Sequence, residues 1–151
     1  MNLEPDLAEF LTGPVLLIVS AADDRCRPAI GRGVGASIVG VDAIEVILSR
    51  WQWPDVVRNI VSSGRLALTA SRARDYVTYQ LKGPAKIRDA TPEDIECAQH
   101  YWAAITDELG RQNVPAYIVS QWSPDRDIVA AQLSVAEIYV QTPGPLAGTS
   151  L

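Results

Sequence analysis

One stretch of this 151-residue chain sets hydrogen-bonding side chains at strand spacing. From Tyr76 to Ile87 the sequence predicts a long strand. Val77, Tyr79 and Leu81 share one face, and Thr78, Gln80 and Lys82 share the other. Such a strand closes a barrel with its apolar side and lines a polar groove with its other side. The pattern points to a β-barrel that binds a cofactor.

Other residues are candidates for chemistry and have competing roles. Gly31-Arg32-Gly33-Val34-Gly35-Ala36 fits a loose G-x-G-x-x-[GA] dinucleotide fingerprint, but that motif needs a helix directly after it. Ser37-Ile38-Val39-Gly40 continues as strand, so the fingerprint is rejected. The alternating glycines leave one strand face bare, either for a barrel bend or for a flat ring or backbone to approach. Trp51 and Trp53 bracket a loop, either covering a ligand or packing in a core or interface. His100 is the only histidine and falls with Glu93, Glu96 and Asp107 on the wet face of its helix. Cys26 lies between Arg25 and Arg27, beside a turn, and Cys97 is a small packing residue. No CxxC pair exists, and no metal site is expected. No nucleophile, base and orienting group fall into an arrangement, so no catalytic residue is assigned. Any chemistry belongs to a bound cofactor.

Bulk properties narrow the classes. At this length one domain spanning 1–151 is expected, burying roughly 70% of the unfolded surface without staples. The net charge of −5 with no basic cluster argues against nucleic acid or anionic lipid as partner. The longest apolar run, Val15 to Val19, is too short to span a bilayer, and the acidic N-terminus is no secretory signal. A reduced, cytoplasmic protein is expected.

The elements that must position these residues read in order. Leu3, Leu7, Phe10 and Leu11 give an opening helix, with Pro5 early and Gly13 past its end. Val15 to Val19 reads as a strand buried on both faces. Pro28 to Val39 reads as a second strand and Ile44 to Ser49 as a third. Pro54 opens a short helix that Gly64 closes, with Val56, Val57, Ile60 and Val61 apolar and Asp55, Arg58, Asn59 and Ser62 wet. Arg65 to Ala70 is the fourth strand, Ser71 to Asp75 a turn, and Tyr76 to Ile87 the fifth strand. Thr91-Pro92-Glu93-Asp94 starts a helix carrying Ile95, Ala98, Trp102, Ile105 and Leu109, which Gly110 stops. Residues 113–123 have no defined pattern. Ile128 to Gln141 is one bent strand or two short ones, and the Pro-Gly-Pro tail is irregular. Short connections between strands predict an antiparallel sheet, in a mainly β (α+β) fold.

Four blocks in this order resemble the FMN-binding split-barrel family typified by pyridoxamine 5′-phosphate oxidase. They are Gly13 to Ser20 with Arg27-Pro28-Ala29-Ile30, Ile44 to Asn59, Gly64 to Leu68 with Tyr79 to Ala85, and Ile138 to Pro145. The resemblance covers about residues 7–148. It implies an antiparallel Greek-key split β-barrel with short flanking helices, a homodimer, and FMN at the subunit interface. Arg32 resembles the family arginine that reaches the cofactor. Leu48, Ser49 and Arg50 resemble the segment touching the isoalloxazine ring and the phosphate. Trp51, Gln52 and Trp53 fall where the family places a basic pair. Thr78 and Gln80 fall where it offers a hydroxyl or amide to the flavin, with Lys82 or Arg58 as further cations.

The departures are specific. The phosphate loop Arg50-Trp51-Gln52-Trp53-Pro54 has one cation, so Gln52 and the amides ahead of the helix must supply the other donors. The C-terminal arginine and histidine that grip the phosphorylated substrate of the true oxidases have no counterpart here. The expected protein is therefore an FMN-dependent oxidoreductase acting on another small molecule. The alternative is a non-catalytic binding or sensing barrel that takes a deazaflavin, haem or no cofactor.

Overall fold

The computed structural model describes residues 1–122 and 125–151. Helix α1 (Pro5–Thr12) leads into β1 (Leu16–Ala22), β2 (Pro28–Arg32), β3 (Ala36–Ile38) and β4 (Ala43–Ser49). Helix α2 (Pro54–Ser63), β5 (Arg65–Ser71) and β6 (Thr78–Asp89) follow, then α3 (Pro92–Arg111), α4 (Ala116–Val119) and a 3-10 turn (Ser120–Trp122). Strands β7 (Ile128–Ser134) and β8 (Glu137–Val140) complete the order. Ser123, at the end of the stretch without a defined pattern, lies outside the described residues.

All strand pairs are antiparallel, in the order β2-β1-β5-β6-β7-β4-β3, with β8 on β6. The twelve-residue β6 belongs to both halves of the barrel. Its first part pairs with β5 and β8, and Ala85 to Asp89 pair with β7. At the changeover, a Cβ on Gly83 would lie 1.9 Å from the Ser134 carbonyl oxygen, so only glycine lets the turn after β7 fold against it. The sheet is antiparallel as the element order predicts, and it closes into the split β-barrel that the resemblance implies.

The core is aliphatic: Leu17, Val19, Val46, Leu48, Leu68, Leu81 and Leu133 are all at most 1% exposed. Strand β4 is buried along its whole length. A second cluster of Ile105, Leu109 and Val119 packs with Leu16, Tyr101, Trp102 and Trp122, which seats α3 and α4 on one end of β1.

Several expectations need correction. Strand β1 is not buried on both faces: Leu17, Val19 and Ala21 point inward, while Leu16, Ile18 and Ser20 stay half-buried, because helices cover only the Leu16 end of its outer side. The stretch 28–39 is not one strand. It breaks at 33–35 (Gly35 φ +155°), where the chain leaves β1 for β4 and so changes from one half of the barrel to the other. Strand β6 begins at Thr78, since Tyr76 takes φ +61° and Val77 still belongs to the turn. In α2 the bounds agree, but the seat is rotated: Asn59 is buried and donates Nδ2 to the Ala21 carbonyl at 3.0 Å, while Val61 is 69% exposed. Helix α3 runs one residue past Gly110, with Ile95 exposed and Asp94, Ile105, Glu108 and Leu109 buried.

Candidate functional site

Residues 49–53 form a turn stitched to the residues before β7. The β4–β7 register sets Ser49 opposite Ile128, which brings residues 126 and 127 beside the turn. Buried Ser49 donates Oγ to the Arg126 carbonyl at 2.7 Å and accepts from Gln52 N at 3.2 Å. Arg50 N donates to the Asp127 carbonyl at 2.9 Å. The Arg50 guanidinium grips the Asp127 carboxylate through Nε at 3.0 Å and Nη2 at 2.7 Å. That pair holds the Asp127 carboxyl below its usual range and raises the Arg50 guanidinium further. Gln52 donates Nε2 to the Gln121 carbonyl at 3.1 Å. Trp51 is half-exposed beneath the Arg126 guanidinium at 4.6 Å, and Trp122 lies 4.1 Å from the Arg32 guanidinium.

Gln121, Trp122, Arg126 and Asp127 therefore engage Gln52, Arg32, Ser49 with Trp51, and Arg50 respectively. Sequence reasoning missed these partners. Their only sequence signal was the Arg126-Asp127 pair ahead of β7. Two polar atoms in the turn, Gln52 Oε1 and Trp53 Nε1, are buried without a hydrogen-bond partner among the described residues. Leu48 is core, facing the barrel interior. At Gly31 the bare face has a specific occupant: a Cβ there would lie 2.7 Å from Trp53 Cγ, so the flat ring over β2 is the chain's own indole, while Gly33 backs onto Val46 and Leu17. Arg58 stays on the outer side of α2, paired with Asp55 at 2.6 Å.

Thr78, Gln80 and Lys82 lie elsewhere, on the outer face of the half-barrel β2-β1-β5-β6-β8. Register defines a single row across that face: Arg32, Ile18, Thr69, Gln80 and Tyr139, each directly opposite the next. At about 4.8 Å per strand, the row spans roughly 14 Å from Arg32 to Gln80. Gln80 Nε2 donates to Thr69 Oγ1 at 3.0 Å, leaving its carbonyl oxygen for another donor. Thr78 and Ser71 share a hydroxyl contact of 2.8 Å one row along. Lys82 Nζ lies 4.8 Å from the Tyr139 ring, whose hydroxyl donates to Glu137. Ile18, Ser20, Ala67 and Thr69 stay half-buried between them, a shallow and mostly neutral floor. Tyr79 and Leu81 point the other way, into the barrel, with Tyr79 edge-on to Phe10 at 5.2 Å. His100 is exposed on α3, away from this face.

No protein-family model matches the chain, and no curated protein matches it in sequence. Solved structures do match in fold. HutZ, the haem storage protein of Vibrio cholerae, shares 16% identity at a TM-score of 0.54, over 93% of this chain and 95% of its own. A provisional pyridoxamine 5′-phosphate oxidase of Lactobacillus delbrueckii shares 10% identity at 0.57, over 92% and 94%. An F420 reductase shares 13% identity at 0.53, over 89% and 98%. The chain thus has the pyridoxamine 5′-phosphate oxidase-like split-barrel fold, one also found in proteins named for haem storage and F420 reduction.

The residues fit FMN unequally. The outer row offers a flat floor and an amide acceptor to a ring. The phosphate end does not fit as folded: Arg50, its expected anchor, already holds a carboxylate. Among the described residues no cluster of His, Cys, Asp and Glu is placed to hold a metal.

Proposed function

We propose that this protein is a flavin-binding split barrel. It places FMN across the outer face of β1, β5 and β6 and works as an oxidoreductase on a small molecule. The observation that carries this reading is the Arg32–Ile18–Thr69–Gln80–Tyr139 row. It combines a half-buried floor with an amide hydrogen-bonded to Thr69. A floor of this kind on one copy needs a second surface to enclose a ring, so the acting form is a homodimer with the ligand between the copies. Thr78 and Gln80 orient the ring edge by hydrogen bonds. Arg32, Arg50 and Gln52, with the backbone of Ser49 to Trp53, serve the ribityl and phosphate end, and Trp51 and Lys82 border the site. The bound group supplies the electron transfer, and the chain supplies position and charge. A cytoplasmic location accompanies this reading, supported by two unbridged cysteines, exposed Cys26 and half-buried Cys97.

A second reading is favoured by one observation, the closed Arg50–Asp127 pair. A barrel whose phosphate anchor is neutralised suits a binding or sensing module for a deazaflavin, haem or no cofactor.

Fluorescence titration with FMN separates the two. Saturable binding in the micromolar range or tighter is expected, weakened about three- to tenfold by Gln80→Ala and also weakened by Arg50→Ala. No saturation at about millimolar FMN, a binding energy weaker than about 4 kcal/mol, overturns the FMN reading.

A further inference from the structure

Asp127 stands where a ligand anion would be expected. Its backbone is left-handed at φ +51°, a conformation uncommon outside glycine and asparagine or aspartate. From there both carboxylate oxygens reach Arg50, in the two-pronged arrangement by which an arginine also takes a phosphate. The Asp127 carbonyl accepts from Arg50 N, so main chain and side chain hold the same partner. Yet the pair is open to water: the two side chains are 48% and 40% exposed. No described residue buries the contact, so a dissolved anion can compete for it. Arg126, one residue away, makes no ion pair among the described residues and rests on Trp51.

On the flavin reading above, we infer that Asp127 sets the phosphate selectivity of this site. It is a built-in counterion that a ligand phosphate must displace from Arg50. As folded, Arg50 and Asp127 cancel. A dianionic phosphate approaching Arg50 meets the Asp127 carboxylate within the screening length of ordinary buffer and is repelled by it. Exchanging one exposed ion pair for another gains little. The wild-type protein therefore binds FMN scarcely better than riboflavin, which shares the ring and lacks the phosphate.

The test is a four-protein cycle: wild type, Asp127→Asn, Arg50→Ala and the double variant, each first checked for a cooperative melt. FMN and riboflavin are titrated by fluorescence, and inorganic phosphate is scored by its effect on melting temperature. Asp127→Asn is expected to tighten FMN about fivefold or more while riboflavin moves less than about twofold. Phosphate should raise the melting temperature of Asp127→Asn more than that of wild type. Both gains should vanish in the double variant. Equal shifts for the two flavins, no shift, or a gain that survives without Arg50 overturns the inference. If neither flavin binds, the flavin reading fails, while the phosphate melts still decide whether Asp127 guards Arg50. Should Asp127→Asn not fold, Asp127→Ser replaces it under the same expectations.

Discussion

Arg88 and Arg50 each hold carboxylates, and their surroundings assign them different work. Arg88 joins β6 to β4 and α3: its guanidinium meets Glu45 at 2.5 Å and Asp94 at 2.6 Å. Both acids are nearly buried, and Asp94 also accepts from Thr91 N at 2.7 Å, closing the capping box of α3. Arg50 meets Asp127 with equally good geometry, but in the open and at a turn. Buried acids cannot turn to water when their partner leaves, so the Arg88 cluster holds elements together. An exposed pair can exchange partners at little cost, so the Arg50 pair adds little to stability and leaves its cation open to exchange.

The largest expected effect that tests this contrast is Arg88→Ala. Allowing for an arginine side chain about a third exposed, it should lower unfolding free energy by about 2–3 kcal/mol in denaturant titration. A loss as small as that of an exposed pair would erase the contrast. Next is Thr91→Ala, which removes one half of the capping box and should cost about 1 kcal/mol in the same assay. Acid should sharpen the difference further. The Arg88 guanidinium holds the Asp94 carboxyl below its unfolded value of 3.8. The stability it contributes is complete above that value and is lost as pH falls through the lower folded value. Melts taken from neutral pH downward should therefore decline there, and Asp94→Asn should flatten that part of the profile. The smallest effect is expected at the other arginine. Arg50→Ala should leave the neutral-pH melting temperature unchanged within error, while it abolishes the phosphate effect seen with Asp127→Asn. A clear fall in melting temperature would make Arg50 structural after all.

How far the sequence could be read follows the range of each interaction. Pro54 and Gly64 bracket α2 correctly because a proline at the first position and a left-handed glycine after the last act on neighbouring residues (Gly64 φ +65°). The outward set Thr78, Gln80 and Lys82 on β6 was likewise visible, since alternation is a property of the strand itself. The rotation of α2 was not visible, because the depth of Asn59 depends on the Ala21 carbonyl of a distant strand. The partner of Arg50 was invisible for the same reason. Asp127 is 77 residues away, and only the β4–β7 register brings it close. The glycines of 31–35 left a barrel bend or an approaching ring open. Gly31 meets Trp53, whose approach depends on the path of a different loop, while Gly33 meets Val46 and Leu17 and Gly35 meets Ile47.

By itself the sequence determined an antiparallel β fold, the ends of α1 and α2, the capped start of α3 and the two faces of β6. These follow from capping chemistry, proline and glycine geometry and side-chain alternation, all of which act within a few residues. Only the tertiary structure decided where the second strand changes sheets, which polar residues share a row across β2, β1, β5, β6 and β8, and that Arg50 is already paired. Those outcomes come from strand register and packing between distant segments, and their energies exist only once the barrel has closed.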